Sequence, residues 1–96
     1  MINSQQWLNS QEQYNSKEKR SRAKKMVVCY NDLERDLDLS DFVDLEELDC
    51  AWNELTNLNL NNWQKLKELW CGSNRLSKLD LNELTQLEKL ECYENI

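Results

Sequence analysis

The chain has 96 residues, a net charge of −6, no histidine, no proline and a single glycine. This length accommodates one small domain, and the composition excludes imidazole catalysis and glycine-rich phosphate loops. The mean hydropathy is −0.87, and no apolar run approaches the roughly 20 residues that a membrane-spanning helix requires. Because the first residues lack the basic flank and apolar stretch of a signal peptide, we expect a cytoplasmic protein, with a nuclear location as the alternative.

Residues 1–25 predict an N-terminal cap followed by a basic linker. Residues 4–8 are typical of a short N-capped helix, with Trp7, Leu8 and Tyr14 as its apolar contacts. We expect these side chains to cover one end of the structure that follows, because an open apolar end would lower solubility.

Charge divides the chain into two parts. Residues 1–25 carry six basic and two acidic groups, a net charge of +4, whereas residues 26–96 carry six basic and sixteen acidic groups, a net charge of −10. The acidic part is unsuited to duplex nucleic acid, because phosphates need neutralising cations. The basic run at residues 17–25 is typical of a solvated linker or helix, and a nuclear-localisation or nucleic-acid-binding segment is the alternative.

From residue 24 onward the sequence repeats. The four cysteines, Cys29, Cys50, Cys71 and Cys92, are evenly spaced with a period of 21, and such regular spacing indicates an internal repeat. In the first unit Asp32 occupies the position of a recurring asparagine, while Asn31 and Leu33 lie one position early. The first unit is therefore degenerate, the next two are complete and the last is truncated: residues 24–44, 45–65, 66–86 and 87–96.

A period of 21 is also three heptads, so a coiled coil is the competing interpretation. With Leu45 and Leu48 placed at positions a and d, five of the fourteen seam positions are polar, and they recur in each unit. Gly72 and its neighbours would also weaken a helix there. The sequence therefore excludes a coiled coil.

Residues 45–55 and 66–76 both read L-x-x-L-x-C-x-x-N-x-L, and residues 87–95 repeat this pattern as far as its asparagine, with Ile96 directly after it. The pattern resembles the unit of the leucine-rich repeat family, with cysteine in place of the third leucine. The resemblance covers residues 26–96 and implies an α/β-type solenoid with short parallel strands on a concave face. Because the unit is short, we expect extended or 3₁₀ return segments rather than full helices, behind a small N-terminal helical cap.

Alternation along each strand predicts which side chains face inward. Leu48 and Cys50 are predicted to face inward, with Val27 and Cys29 at the equivalent positions of the first unit. Trp63 belongs to another inward column. The outward rows across the units are then Met26/Glu47/Glu68/Lys89, Val28/Asp49/Trp70/Glu91, Tyr30/Ala51/Gly72/Tyr93 and Asn31/Trp52/Ser73/Glu94.

The cysteines have a structural and a chemical interpretation. As inward residues they are predicted to be buried and to pack as small hydrophobic groups. A zinc site needs paired thiols, which a column of single cysteines does not supply. Disulfides need an oxidising compartment. We therefore expect structural thiols, with no metal and no cofactor.

The outward rows predict binding rather than catalysis. No nucleophile, base or metal set accompanies the carboxylates, so we expect a protein that is not an enzyme. Aromatic side chains within an acidic rim are typical of binding hot spots, and the resemblance implies protein binding through the concave face. The residues predicted to bind a partner are Tyr30, Glu47, Asp49, Trp52, Glu68, Trp70, Glu91 and Tyr93.

The expected partner is a protein segment with basic or aromatic groups, rather than nucleic acid or a membrane. Two alternatives stay open. One is a nuclear or RNA-associated factor that acts through residues 17–25, and the other is a fragment of a longer repeat array.

Residues 87–96 contain a predicted strand without a return segment. Leu87, Leu90 and Cys92 should then expose one side, and the strand should present unpaired backbone groups. We expect this end to fray and to self-associate, or to be covered by further repeats or by a partner.

Overall fold

The computed structural model describes residues 2–59, 65–77 and 84–95. Within these residues the elements are β1 (Ile2–Asn3), α1 (Ser4–Ser10), α2 (Lys17–Arg22), β2 (Lys25–Val27), β3 (Leu33–Asp38), β4 (Glu47–Asp49), β5 (Glu54–Asn59), β6 (Glu68–Trp70) and β7 (Lys89–Glu91). The strands form two parallel sheets, which we call the face sheet (β2-β4-β6-β7) and the return sheet (β1-β3-β5). Among these residues, neither helix has the length or apolar character that a membrane span needs.

The chain passes between the two sheets as it proceeds from one repeat to the next. β3 connects β2 to β4, and β5 connects β4 to β6. Glu47 of β4 lies opposite Glu68 of β6, which lies opposite Lys89 of β7, so the predicted offset of 21 is confirmed for these strands. Since neighbouring strands are about 4.8 Å apart, equivalent side chains of successive repeats form columns. The predicted short parallel strands and the extended return segments at β3 and β5 are also confirmed.

Apolar side chains fill the space between the two sheets. Leu48 of β4 and Leu69 of β6 face inward and are fully buried. The return sheet contributes Leu37 and Leu55, which are also fully buried. Complete burial of such a side chain contributes roughly 1.5–3 kcal/mol, and one repeat cannot bury its own face alone. Other fully buried side chains are Met26, Leu33, Leu39, Phe42 and Leu66.

The first repeat has a different register from the one predicted. Met26 lies opposite Leu48, so the offset there is 22 rather than 21. Met26 and Val28 are therefore fully buried, whereas Val27 is 52% exposed, and the prediction that placed Met26 and Val28 outward and Val27 inward is wrong. The register changes again within β3, next to Arg35, whose φ is 65°. The first repeat has three residues between the buried Leu33 and Leu37, where the next has two between Leu55 and Leu58, and it is one residue longer there.

Buried asparagines join consecutive repeats after each face strand. Asn53 Oδ1 accepts the Leu33 amide at 3.1 Å, and Asn53 Nδ2 donates to the carbonyl oxygens of Val28 and Cys50, both at 3.0 Å. Asn74 repeats this arrangement one unit later, and its Oδ1 accepts the Leu55 amide at 3.0 Å. A buried amide that both donates and accepts can satisfy turn backbone that has no strand partner.

The N-terminal helix packs against the return sheet. α1 begins after Asn3, whose Oδ1 accepts the Gln6 amide at 3.0 Å as an N-cap. Ser4 is buried instead, and its hydroxyl donates to the carbonyl oxygen of Asp36 in β3. Leu8 and Tyr14 are buried and belong to the apolar core, against which Trp7 also packs. The predicted short helix and its apolar contacts are thus confirmed. β1 adds the outer strand of this sheet.

The basic segment forms α2, which has no buried residue. Ser16 caps it by accepting the Lys19 amide at 3.2 Å. Arg20 holds the helix against the preceding turn, because its guanidinium donates to the carbonyl oxygen of Tyr14 and to Asn9, both at 2.7 Å. This segment is therefore a helix with a structural anchor, in line with the predicted solvated linker or helix.

At the other end of the face sheet, β7 pairs with β6 on one side. Leu90 is 42% exposed and Cys92 is exposed, as the sequence predicted. Several predicted inward residues lie outside the described residues, namely Leu60, Trp63, Leu79 and Leu81.

Candidate binding face

Outward side chains of the face sheet form two rows that cross the strands. The first row is Lys25, Glu47, Glu68 and Lys89, and the second is Val27, Asp49, Trp70 and Glu91. Just beyond the strands a third row, which we call the turn row, consists of Tyr30, Trp52, Ser73 and Glu94, with φ values of 59°, 59°, 53° and 59°. A left-handed turn in each repeat thus presents one side chain per repeat along the same edge.

Two aromatic side chains of the turn row are stacked. The ring centroids of Tyr30 and Trp52 are 5.5 Å apart and their planes differ by 7°. Both are solvent-accessible, Tyr30 at 71% and Trp52 at 53% exposure. The predicted rows that paired Tyr30 with Ala51 and Asn31 with Trp52 are wrong, because the offset of the first repeat is 22 rather than 21.

Trp70 borders a concave part of the face. It is 36% exposed and lines a cavity of about 180 Å³ together with Val27, Glu47, Asp49 and Glu68. Lys25 also lines this space, so an aromatic wall, an aliphatic wall, three carboxylates and one lysine surround a cavity that could hold one side chain of a partner.

The first row contains a pair of carboxylates between two lysines. Lys25 Nζ lies 4.0 Å from Glu47 Oε2, and Lys89 Nζ lies 3.8 Å from Glu68 Oε1. The pKa of Glu47 is raised, chiefly because its carboxyl shares a hydrogen bond with that of Glu68, and Lys25 opposes the shift. The centre of this row therefore retains a proton more readily than a lone glutamate does.

The repeat that contains β7 adds Glu91 and Tyr93, and Tyr93 is 76% exposed. Its backbone lies close to Gly72 of the preceding repeat, because a Cβ at Gly72 would be 3.1 Å from the Tyr93 carbonyl oxygen. A glycine at this position lets the two turns approach each other closely.

The structure brings the predicted partner-binding residues to one side of the molecule in three groups. Glu47, Asp49, Glu68 and Trp70 surround the cavity, Tyr30 and Trp52 form the stack, and Glu91 and Tyr93 lie on the last described repeat. Sequence reasoning missed Lys25 and Val27, which the register of 21 placed elsewhere. The signal that could have found them is that Asn31 and Leu33 precede Asn53 and Leu55 by one position more than the cysteine spacing.

Three of the four cysteines form a ladder behind this face. Cys50 and Cys71 are buried, and Cys92 occupies the same position in the next repeat. Burial raises the pKa of Cys50 well above its usual value and that of Cys71 to about 12. Cys50 and Cys71 are therefore protonated structural groups at neutral pH.

Cys29 does not belong to the ladder, although it precedes Cys50 by the same interval that separates the other cysteines. Val28 takes the ladder position in the first repeat, since its amide donates to the Asp49 carbonyl oxygen at 2.8 Å. Cys29 is half-buried instead, so the prediction that placed it inward is wrong. Burial, and next the nearby Asp49 carboxylate, raises its pKa. Within the described residues all four thiols are free and no group of potential ligands could hold a metal ion.

No family model and no curated protein matches the chain. Among solved structures the chain is similar to the functional domain of InlJ from Listeria monocytogenes, which includes a cysteine ladder. The TM-score is 0.76 at 29% sequence identity, and the match covers 88% of this chain and 18% of the InlJ chain. The chain is thus a repeat-type domain that resembles a cysteine-ladder region, and it spans less than a fifth of that larger protein.

Proposed function

We propose that the chain is a leucine-rich repeat solenoid that binds a protein partner through the outward side of the face sheet and the turn row. Together these surfaces are called the aromatic–acidic face. The two parallel sheets, the asparagines that join consecutive repeats and the similarity to a cysteine-ladder domain support the solenoid. On this proposal the protein is a non-catalytic interaction module that needs no cofactor.

The observation that carries the proposal is the composition of the aromatic–acidic face. The four segments at residues 27–30, 49–52, 70–73 and 91–94 contain four aromatic residues, three acidic residues and no basic residue. The aromatic residues are all exposed, at 36% or more. Exposed aromatic groups clustered in this way are typical of interaction sites. In the three rows of the whole face five acidic groups face two lysines, and both lysines pair with glutamates. This excess of acidic groups favours a basic partner, because complementary potentials steer association and suppress incorrect partners.

The contacts of the basic segment favour this proposal over an RNA-binding role. Arg20 donates to Tyr14 and Asn9, and Arg22 pairs with Glu18 at 2.6 Å. Lys19 donates to the carbonyl oxygen of Glu12 at 2.7 Å. Arg22 must leave its glutamate before it can neutralise a phosphate, and the bonds of Arg20 hold its guanidinium against the protein.

Proximity labelling in the cell of origin tests the proposed function. We expect a protein partner that is enriched by the wild-type chain and lost with Trp70→Ser or Trp52→Ser, while the circular dichroism spectrum stays unchanged. Val43 is 49% exposed outside the face, so Val43→Ser is the matched control for removing an exposed apolar side chain. If all variants enrich the same proteins as the wild type, the face does not bind the partner.

A further inference from the structure

The aromatic stack in the turn row has one covered end and one open end. Tyr30 covers one face of the Trp52 indole, with the rings 5.5 Å apart and almost parallel. Because Tyr30 precedes Trp52 by one repeat and Ser73 follows it by one, the other face of the indole is turned toward Ser73. Serine is too small to continue the stack, and Trp52 keeps 53% of its surface exposed.

Glu94 stands on the far side of Ser73 in the same row. Backbone bonds fix these turns at one level, since the Trp52 amide donates to the Gly72 carbonyl oxygen at 3.0 Å and the Ser73 amide to that of Tyr93 at 2.8 Å. The Ser73 hydroxyl donates to Glu94 Oε2 at 3.2 Å and so orients the carboxylate. Two strand spacings, about 9.6 Å, separate the backbone positions of Trp52 and Glu94. We call the space above Ser73 the Trp52–Glu94 slot.

The shape and charge of the slot select the group that it can hold. One planar group stacked about 3.5–4 Å from the indole fits between Trp52 and Glu94. The carboxylate of Glu94 accepts one bond from Ser73 and has capacity for further donors. The basic residues flanking the row in the described part of the chain are paired elsewhere, Arg75 with Glu54 at 3.4 Å and Lys89 with Glu68 at 3.8 Å.

We propose that the Trp52–Glu94 slot binds an arginine side chain of the protein partner, with the guanidinium stacked on Trp52 and hydrogen-bonded to Glu94. Arginine fits better than lysine, because the guanidinium is planar, stacks on aromatic faces and presents several donors to one carboxylate. The inference rests on the proposed protein-binding function and specifies the chemistry of the partner at one edge of the face.

Titration of the whole chain with N-acetyl-arginine amide tests the slot, with the indole N–H resonances followed by NMR. We expect the Trp52 indole resonance to move and that of Trp70 to move less. The lysine analogue and the uncharged, isosteric citrulline analogue should each bind roughly 3- to 10-fold more weakly. The probe concentration is raised to about 100 mM, so that even a site with a dissociation constant of about 100 mM is half-saturated.

A substitution that fills the slot provides the sharpest variant. Ser73→Tyr should fold, because Tyr30 and Trp52 already occupy the same left-handed position in the preceding repeats. It should abolish the arginine-induced shift while Trp52 and Glu94 are both still present. Glu94→Gln should weaken binding roughly 3- to 10-fold, and Glu88→Gln, an exposed glutamate outside the face, is its matched control.

Three results would overturn the slot. They are an unperturbed Trp52 resonance at the highest probe concentration, equal binding of the citrulline analogue, and full binding by Ser73→Tyr. If a neutral sugar moves the Trp52 indole resonance more than the arginine probe does, the slot is a saccharide-binding site instead.

The labelling experiment separates failure of the slot from failure of the proposed function. A partner lost with Trp70→Ser but retained with Ser73→Tyr leaves the protein-binding function intact and contradicts the slot. If the arginine probe binds the slot but partner labelling is unchanged in every face variant, the slot exists and the proposed protein-binding function is contradicted.

Discussion

The side chain of Asn74 joins two repeats near the centre of the molecule. Its amide accepts the Leu55 N–H at 3.0 Å and donates to the carbonyl oxygens of Cys50 and Cys71 at 3.0 and 3.1 Å. The backbone groups that it satisfies belong to two repeats. A side chain without an amide would deprive the Leu55 N–H of this acceptor, whereas the Cys50 and Cys71 carbonyl oxygens would still accept from Asn53 and Asn95.

We predict that Asn74→Ala lowers the free energy of unfolding by about 2 kcal/mol, because one orphaned buried backbone group costs about 1–3 kcal/mol. Urea denaturation measures the change. Asn57→Ala removes an exposed asparagine of β5 and should change stability by less than about 0.5 kcal/mol. Equal destabilisation by the two variants would show that the bonds of Asn74 are unimportant.

The thiols should differ widely in reactivity. In native protein near pH 8 we expect iodoacetamide to modify exposed Cys92 first and Cys29 more slowly, because burial and Asp49 raise the pKa of Cys29. Cys50 and Cys71, whose pKa values are raised further by burial, should react only when the structure opens locally, about a thousandfold more slowly. Mass spectrometry of timed samples measures the rates. Labelling of Cys50 as fast as Cys29 would contradict the ladder.

At the scale of the element, β3 carries the irregularity that sets the first repeat apart. Arg35 adopts a φ of 65° at the point where the pairing of β3 with β5 changes register. Left-handed backbone is unfavourable for a residue with a Cβ, by roughly 1–2 kcal/mol.

Arg35→Gly should therefore raise the free energy of unfolding, by about 0.5 kcal/mol after the greater freedom of glycine in the unfolded chain is included. Thermal and urea unfolding measure the difference. Arg35→Ala keeps the Cβ and should leave stability nearly unchanged, so it separates the backbone effect from loss of the exposed guanidinium. A loss of stability on glycine substitution would contradict the assignment of strain.

The adjacent strands β4 and β6 carry a pH-dependent contact. The folded-state pKa of Glu47 is raised above its usual 4.5, chiefly by Glu68, with Lys25 opposing and Glu46 adding to the shift. A raised pKa favours the folded state at pH below the unfolded value, and this contribution is lost as the pH rises through the folded value.

Glu47→Gln should consequently gain stability relative to the wild type between pH 4 and pH 7, because only the wild type acquires the second charge in that interval. Urea unfolding at the two pH values measures the relative gain, with Glu88→Gln, an exposed glutamate, as the control. A difference between Glu47→Gln and the wild type that does not change with pH would show that the carboxyl pair has no energetic effect.

The sequence predicted β4, β6 and β7 well for a physical reason. With a constant offset of 21, each recurring leucine, cysteine or asparagine lies in the same column as its equivalents in the other repeats. A single alignment therefore describes all three repeats. The first repeat could not be predicted in that frame, because Cys29 continues the cysteine spacing while its backbone lies opposite Ala51. The stack of Tyr30 on Trp52 depends on this offset and was missed for the same reason.

At the scale of the whole molecule, charge and an exposed strand oppose each other. Residues 26–96 carry a net charge of −10, which repels a second copy. β7 is an outer strand of the face sheet, and its central residue Leu90 is 42% exposed, which favours strand pairing with another chain.

We predict that the 96-residue chain is monomeric at low ionic strength and self-associates as salt is added, because the Debye length falls to about 8 Å near physiological salt. Analytical ultracentrifugation at both salt concentrations measures this. Leu90→Lys adds a charge to the strand and should keep the chain monomeric. A monomer under both conditions, with slow amide exchange at Leu90, would contradict the prediction.

The bonds that the oxygens of the recurring asparagines accept all come from the preceding repeat. Asn53 accepts the Leu33 amide, Asn74 that of Leu55 and Asn95 that of Leu76, so each repeat supplies an acceptor to the repeat before it. During synthesis, a turn that has left the ribosome therefore lacks its acceptor until about 20 further residues have emerged. Nascent chains stalled at successive lengths should therefore gain protease resistance in steps. Each repeat should become resistant only after the repeat that follows it has emerged.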